Sequence, residues 1–397
     1  MVGFDYILGL TCLLLILGIV EGWAHKRQLE MLPIRIHVAG TRGKSSVTRL
    51  IASGLNEAGI KTVAKTTGTL ARTILPDGRE LPVYRPAGAN IIEQKRITSV
   101  ARSFGAQAIV MECMALQPLL HWISEKKMVR ATHGVITNAR ADHLDVMGPG
   151  EVDVAKALAG MIPVEGMLYT AEQKHLGVFE EAANERRTRL VGVGQNEIED
   201  ITDQEIEPFS YTEHKENVAL ALKILMDQGI DRETALRGMW KVKPDPGALS
   251  EFHLEFFGRD IYFVNGFAAN DPDSTFKIWD YAVSKYSDVD SIVGIFNLRG
   301  DRPSRTQQMA QDANFWHSAN KIVLMGTGSH LFHRLAAKRN VDPAKFVLAN
   351  DERTEEIFEA ILGACTKKTL VIGMGNIGGK GLDLVQFFKN RCKLEYA

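Results

Sequence analysis

Four cysteines in 397 residues, at positions 12, 113, 365 and 392, are too few and too scattered for a disulfide framework. None has the paired spacing of a zinc or redox motif, so the chain reads as one with reduced thiols in the cytosol. Excess charge is missing too. Lysine and arginine total 47 against 48 acidic residues, and a net charge of −1 gives no global attraction to nucleic acid or anionic lipid. Any polyanionic ligand must be held by a local cluster, and no nucleic-acid partner is expected. Repeats and low-complexity tracts are absent. The N-terminus lacks the basic start and the small-residue cleavage site of a secretory signal.

Long hydrophobic runs are scarce, with one exception. Tyr6–Val20 carries no charge and is bounded by Asp5 and Glu21. That is short for a span, which usually takes about 17–25 residues. Trp23 suits a membrane interface, and His25-Lys26-Arg27 places positive charge after the run, which puts the rest of the chain in the cytoplasm. Residues 1–30 are therefore expected to anchor or dock the protein at the cell membrane. A helix buried against the body or a partner is the alternative.

The remainder has a globular composition and length enough for two domains. From Ile34 to about Val242, strand-like runs (Ile34–Ala39, Gln107–Met111, Gly134–Thr137, Met167–Tyr169, Leu190–Val193) alternate with helical patterns near 45–57, 91–103, 152–161, 174–186 and 214–228. This alternation predicts a parallel sheet covered by helices. The breaker-rich stretch Lys243-Pro-Asp-Pro-Gly247 marks a boundary between domains at 31–245 and 246–397. Beyond it, Phe252–Phe257 and Asp260–Val264 read as a hairpin around Gly258-Arg259. Ser291–Phe296, Lys321–Met325, Phe346–Leu348 and Leu370–Ile372 then alternate with helices, predicting a smaller α/β unit. Two such domains joined by a hinge suggest a cleft that closes over substrate.

Ile34–Ala39 runs into Gly40-Thr41-Arg42-Gly43-Lys44-Ser45-Ser46, and Ser45–Glu57 spaces its apolar residues for a helix. Glycines between a strand and a helix N-terminus let backbone N–H groups converge on an anion. Lys44 is placed to reach the outer phosphates and Ser45 to offer a hydroxyl to Mg²⁺. The general phosphate-loop pattern wants glycine at position 38, which holds Val. A carboxylate at Glu112, ending an apolar strand, would face the sheet's carboxyl edge, where α/β ligands bind. It suits Mg²⁺, which takes one or two carboxylates with phosphate oxygens.

The shorter Gly-Thr-Arg-Gly-Lys-Ser loop resembles that of the Mur ligases, ATP-dependent enzymes that form amides. Further pieces follow in the family's order: Thr66-Thr-Gly-Thr69, Glu112, and the block Ile136-Thr-Asn-Ala-Arg-Ala-Asp-His-Leu-Asp145. The resemblance implies a P-loop central domain with a parallel sheet and a smaller Rossmann-like C-terminal α/β domain, here preceded by a hydrophobic helix. It implies ATP and Mg²⁺ as cofactors, with Mn²⁺ as an alternative metal. Gly40 to Ser46, Asn138 and Asn217 would bind nucleotide. Ser45, Thr67, Glu112 and His143 would hold metal, with Asp142 orienting the imidazole of His143. Lys156 corresponds to a lysine that several members carbamylate into an anionic ligand, which needs a desolvated amine; a surface lysine is the competing reading. Lys44, His143, Lys156 and Arg302 are the implied catalytic set.

The chain also departs from the family. Lys215 replaces one asparagine of the adenine-contacting helix, Ala248 an arginine, and Asn265 an acidic residue. Asn270, Asp273, Arg299, Arg302 and Arg305 are the implied substrate residues, and the arginines suit bidentate grip of carboxylate or phosphate. Gly373-Met-Gly-Asn-Ile-Gly-Gly-Lys380 reads as a terminal strand–turn–helix rather than a second nucleotide site. Only 33 residues precede the first strand, leaving no room for a UDP-binding domain.

Two relatives lack that domain: folylpolyglutamate synthases and the ligase subunits of poly-γ-glutamate (capsule) synthases. The N-terminal run, the loop and the Asp-His-Leu-Asp block look most like the second. That likeness implies γ-linked polymerisation of glutamate through an acyl phosphate, releasing ADP and phosphate. Glutamate, the growing polymer and small integral-membrane subunits are the implied partners, and a homo-oligomer stays open. The rival readings are glutamylation of folate or another small acceptor, a membrane-tethered P-loop ATPase in capsule export, and a noncatalytic scaffold.

Overall fold

The computed structural model describes all residues except 1, 69, 86–87, 246–247, 270–271, 312–313, 350–352 and 393–397. The chain divides into two compact units, Met1–Lys243 and Pro244–Ala397.

The first unit is built on strands β1 (Ile34–Ala39), β2 (Thr62–Lys65), β3 (Arg72–Ile74), β4 (Glu80–Pro82), β5 (Ala108–Glu112), β6 (His133–Ile136), β7 (Met167–Thr170) and β8 (Arg189–Gly192). Among the described residues they form one sheet in the order β4-β3-β2-β5-β1-β6-β7-β8. From β2 to β8 every neighbouring pair is parallel, and β3 and β4 add an antiparallel margin. These two strands, three residues each, were not anticipated from the sequence, whereas β2 is the strand expected to end at the turn that Thr66 opens.

Alternation along β1 explains the layering. Ile36 and Val38 enter one core with Val47, Leu50 and Ile51 of the following helix, while Ala39 enters a second core on the other face. Burial on both faces is what a parallel sheet requires, and it accounts for the continuous apolar strands. Because β5 and β6 flank β1 on opposite sides, chain direction diverges at its carboxyl end and opens a crevice there.

Three helices of this unit matter below: α1 (Val2–Glu30), α2 (Lys44–Glu57) and α3 (Glu93–Ser103). The uncharged run of residues 6–20 lies within a longer helix, exposed from Phe4 to Trp23. Only its last turns are covered, with His25 and Leu29 buried.

The second unit has strands β9 (Ser250–Phe256), β10 (Arg259–Asn265), β11 (Ser291–Asn297), β12 (Lys321–Met325), β13 (Phe346–Ala349) and β14 (Lys368–Gly375), in the order β13-β12-β11-β14-β10-β9. Here β9 and β10 form the expected hairpin, but its turn is Phe257-Gly258, one residue earlier than the sequence suggested. Both residues have positive φ, 49° and 72°, the handedness a two-residue hairpin favours. Aromatic cores fill both faces, one around Trp279, Phe296, Trp316 and Phe332, the other around Phe263, Phe267, Phe358 and Phe388.

Candidate functional site

β1 delivers the chain to Gly40 at the divergence of the sheet. Gly40 has φ 133°, and a Cβ there would lie 2.0 Å from Thr137 Oγ1. Gly43 has φ 80°, with Asn217 Oδ1 2.5 Å from where its Cβ would be. Both positions combine a left-handed backbone with a close neighbour, so glycine is required at each.

The loop is held from β6's end. Thr41 Oγ1 donates to Asn138 Oδ1 (2.7 Å), as does the Arg42 N–H (3.0 Å). Asn138 Nδ2 donates to Arg42 O (3.3 Å), and Thr137 Oγ1 to the same oxygen (2.6 Å). Asn138, expected beside the nucleotide, thus spends its amide on loop shape. Lys44 Nζ donates to Gly40 O (2.8 Å) and Thr41 O (3.2 Å), folding over the loop. Ser46 lies half-buried in the first turn of α2.

Glu112 is the node of the site. It ends β5 with 2% exposure and accepts from Ser45 Oγ (2.8 Å), the Thr67 N–H (2.7 Å) and Thr67 Oγ1 (2.5 Å). One carboxylate and two hydroxyls, at the N-terminus of α2, make a hard oxygen set that fits Mg²⁺ or Mn²⁺. Phosphate oxygens suit the adjacent loop N–H groups and the helix dipole. Ser45, Thr67 and Glu112 are thereby brought together from three elements.

The Asp-His block joins the loop more loosely. Arg42 and Asp142 form an ion pair at 3.6 Å, and the Arg140 N–H donates to Thr41 Oγ1 (3.0 Å). His143 opens a short helix, Leu144–Met147, with φ 49°. Its Nε2 lies 3.9 Å from Asp142 Oδ1, an ion-pair separation longer than a hydrogen bond. Asn217 Nδ2 donates to Glu213 Oε1 (2.8 Å) while its Oδ1 abuts Gly43.

Lys156 lies exposed on the helix Glu151–Ala159, the placement that the surface-lysine reading expects.

In the second unit Arg299, Arg302 and Arg305 line one concavity with Asn297 and Asn376. Arg299 is engaged within its own loop by Asp301 (2.9 and 2.5 Å), which holds that carboxyl below its usual range. Asp273 is exposed in the first turn of the helix Pro272–Lys285. Asn270 lies outside the described residues. Asn265 is fully buried and donates to Ala248 O (3.2 Å) and Ser250 Oγ (3.1 Å), a structural use.

Two buried polar groups were missed from the sequence. Lys65, at the end of β2, pairs with Glu93 (2.9 Å), which also takes Arg85 Nε (2.6 Å). Burial pushes the Lys65 ammonium below its ordinary value, against the pull of Glu93. The only signal was a charge closing an apolar strand. The second group surrounds Cys113, whose Sγ lies 3.5 Å from His121 Nδ1, while His37 Nδ1 contacts Glu125 (2.8 Å). Burial alone would raise the thiol, but His121 and His37 hold it well below the usual range.

With this geometry in place, comparison with known proteins is direct. The Mur ligase middle domain matches residues 38–242, and the poly-gamma-glutamate synthase CapB C-terminal domain matches residues 251–391. The capsule biosynthesis protein CapB of Bacillus anthracis is 38% identical over 384 residues, spanning 96% of this chain and 82% of that one. The chain belongs to the Mur ligase family. Within that family it is of the CapB type, an ATP-dependent ligase. PGA synthase CapB of Bacillus subtilis is 37% identical over 96% of this chain and 97% of its own length. Among solved structures, E. coli FolC in complex with ADP superposes with a TM-score of 0.66 at 14% identity, covering 93% of this chain and 92% of that one. Mycobacterium tuberculosis folylpolyglutamate synthase complexed with ADP and AMPPCP gives 0.64 at 16%, covering 93% and 95%. At such identities the likeness concerns the fold of this family alone.

Proposed function

We propose that this chain polymerises glutamate through γ-carboxyl amide bonds, consuming ATP, as the ligase of a membrane-associated poly-γ-glutamate synthase. The observation that carries this reading is identity of 37–38% across 96% of the chain to two CapB proteins, one named as a PGA synthase. The phosphate loop clamped beside Glu112 supports it chemically. A structural neighbour from Yersinia pestis is described as complexed with AMPPNP and Mn ion, which supports the same nucleotide and metal class here.

In the reaction, a carboxylate oxygen of the acceptor attacks the γ-phosphorus of ATP and ADP departs, leaving an acyl phosphate. The neutral amine of the next glutamate attacks the acyl carbon, loses a proton, and phosphate leaves with the bonding pair. The loop N–H groups from Gly40 to Ser46 and the Lys44 ammonium bind and orient the phosphates. Thr137 and Asn138 keep those N–H groups aimed. Ser45, Thr67 and Glu112, with His143 as a further candidate, would hold the divalent ion, which supplies charge neutralisation on the phosphates when bound. Asn217, packed on Gly43 of the loop, is the residue to which this reading assigns contact with the adenine. Arg302 and Arg305, with Arg299 partly offset by Asp301, offer cationic grip for the carboxylates of glutamate or its polymer.

The apolar, exposed helix α1 supports a membrane anchor; a cytoplasmic catalytic part and small membrane subunits as partners belong to the same proposal. The test is incubation of membranes bearing the chain and its partner subunits with ATP, Mg²⁺ and labelled glutamate. Labelled polymer and stoichiometric ADP are expected. Absence of both, or AMP as product, would overturn the assignment.

A further inference from the structure

We propose that the phosphate-binding edge of the first unit's sheet is the edge turned toward the lipid bilayer, an inference that rests on α1 being the anchor. The course of α1 carries it. The C-terminal end of the helix is fixed where the sheet begins: Arg35, at the start of β1, donates from one guanidinium nitrogen to Leu29 O (3.2 Å) and Leu32 O (2.7 Å). One turn back, His25 Nε2 donates to Met128 O (2.7 Å). Another turn back, Glu21 accepts from Lys95 Nζ (2.9 Å) on α3. Lys95 is two residues past Glu93, and Glu93 binds Lys65, the last residue of β2. As β2 runs in the same direction as β1, Glu21 stands level with the carboxyl ends of the strands.

The helix therefore runs antiparallel to β1, and Phe4–Val20 continue beyond the edge that carries Gly40–Ser46 and Glu112. At 1.5 Å per residue that segment extends about 25 Å, close to the roughly 30 Å of a hydrocarbon core. It is bare along its length, with Phe4 at 69%, Leu14 at 60% and Val20 at 55% exposure.

Where the helix clears the edge, the flanking surface suits an interface. Tyr84 (77% exposed) precedes Arg85, which binds Glu93, and Ile92 (49% exposed) immediately precedes Glu93. A solvent-facing tyrosine and isoleucine beside an emerging apolar helix, with Lys95 at its side, match the aromatic and cationic belt at a membrane surface. The occupant of this surface is the headgroup layer of a bilayer, and acyl phosphate chemistry takes place on the face of the unit nearest to it.

Single-site bimane labelling of the full chain, reconstituted in phosphatidylcholine–phosphatidylglycerol vesicles, tests the orientation. In a C12S/C392S background, labels at Tyr84→Cys and Ile92→Cys are compared with one at Lys61→Cys, which lies at the opposite edge before β2. Lipids with nitroxide headgroups are expected to quench the first two several-fold more than the third. The native Cys12, labelled alone and read with mid-chain nitroxide lipids, reports α1 insertion. Quenching at Cys12 with equal quenching at 61, 84 and 92 would overturn the orientation and leave the anchor standing. Absence of quenching at Cys12 would overturn both.

Discussion

The Ser45 hydroxyl donates to Glu112 Oε2 across 2.8 Å, joining the first turn of α2 to the end of the neighbouring strand β5. Thr67 closes the other side of the same carboxylate with its N–H and hydroxyl. A buried carboxylate with three donors is both well placed and hard to replace. Glu112→Gln keeps the volume but removes the charge, and glutamate-dependent ADP release is expected to fall on the order of 10²-fold or more. Circular dichroism should show the fold retained. Turnover at the native rate would remove Glu112 from the site.

Lys44 rests on the carbonyls of Gly40 and Thr41, so its ammonium is directed along the loop. Lys44→Met should abolish polymer synthesis while membrane association and thermal stability persist. If synthesis continued, the charge on the phosphates would have to be met by another residue.

Asn138 makes three hydrogen bonds to the loop, so Asn138→Ala leaves the Thr41 hydroxyl and the Arg42 N–H without their acceptor. Each group left unsatisfied costs about 1–3 kcal/mol. Denaturant unfolding should report the loss of stability, and calorimetric titration with ADP should show weaker binding. A wild-type ADP affinity would mean that the loop keeps its shape unaided.

The exposure of Lys156 leads to a different expectation. Lys156→Ala should change turnover less than several-fold, and bicarbonate should rescue nothing. Loss of activity restored by added short-chain carboxylates would instead point to a carbamylated lysine.

Acid stability should depend on Glu205. Its carboxylate takes both Arg232 Nε (2.7 Å) and a second guanidinium nitrogen (3.0 Å), and the Thr202 N–H besides. Led by the Arg232 hydrogen bonds, these contacts lower it to about 2 from 4.5. A depressed carboxylate contributes stability above its unfolded value, and that share is lost as pH falls from about 4.5 toward about 2. Arg232→Met should therefore flatten the acid limb of the unfolding-versus-pH curve and cost on the order of 1 kcal/mol near neutrality. An unchanged acid limb would count against this pairing.

Much of the fold was legible because its signals are local. Ile34–Ala39 and the pattern after Lys44 announce a strand–loop–helix, and Gly40 and Gly43 announce the turn between them. The hairpin of β9 and β10 was visible from alternation, though its turn slipped by one because Phe257 is an unusual residue at positive φ. The short strands β3 and β4 were missed, since three residues carry too little periodicity to register. Lys65 was overlooked for a related reason. A lysine in a sequence reads as surface, and only its pairing with Glu93 makes burial tolerable.

By itself the sequence determined the phosphate loop, the alternation that builds two α/β units, the boundary near Lys243 and the uncharged N-terminal run, because each depends on residues adjacent or a few places apart. Tertiary structure alone decided the rest. Ser45 meets Glu112 across 67 positions and Thr41 meets Asn138 across 97, and such meetings are set by strand order, which no local pattern encodes. The direction in which α1 leaves the sheet belongs to the same class, since it follows from where Arg35, Met128 and Lys95 take hold of successive turns at its C-terminal end.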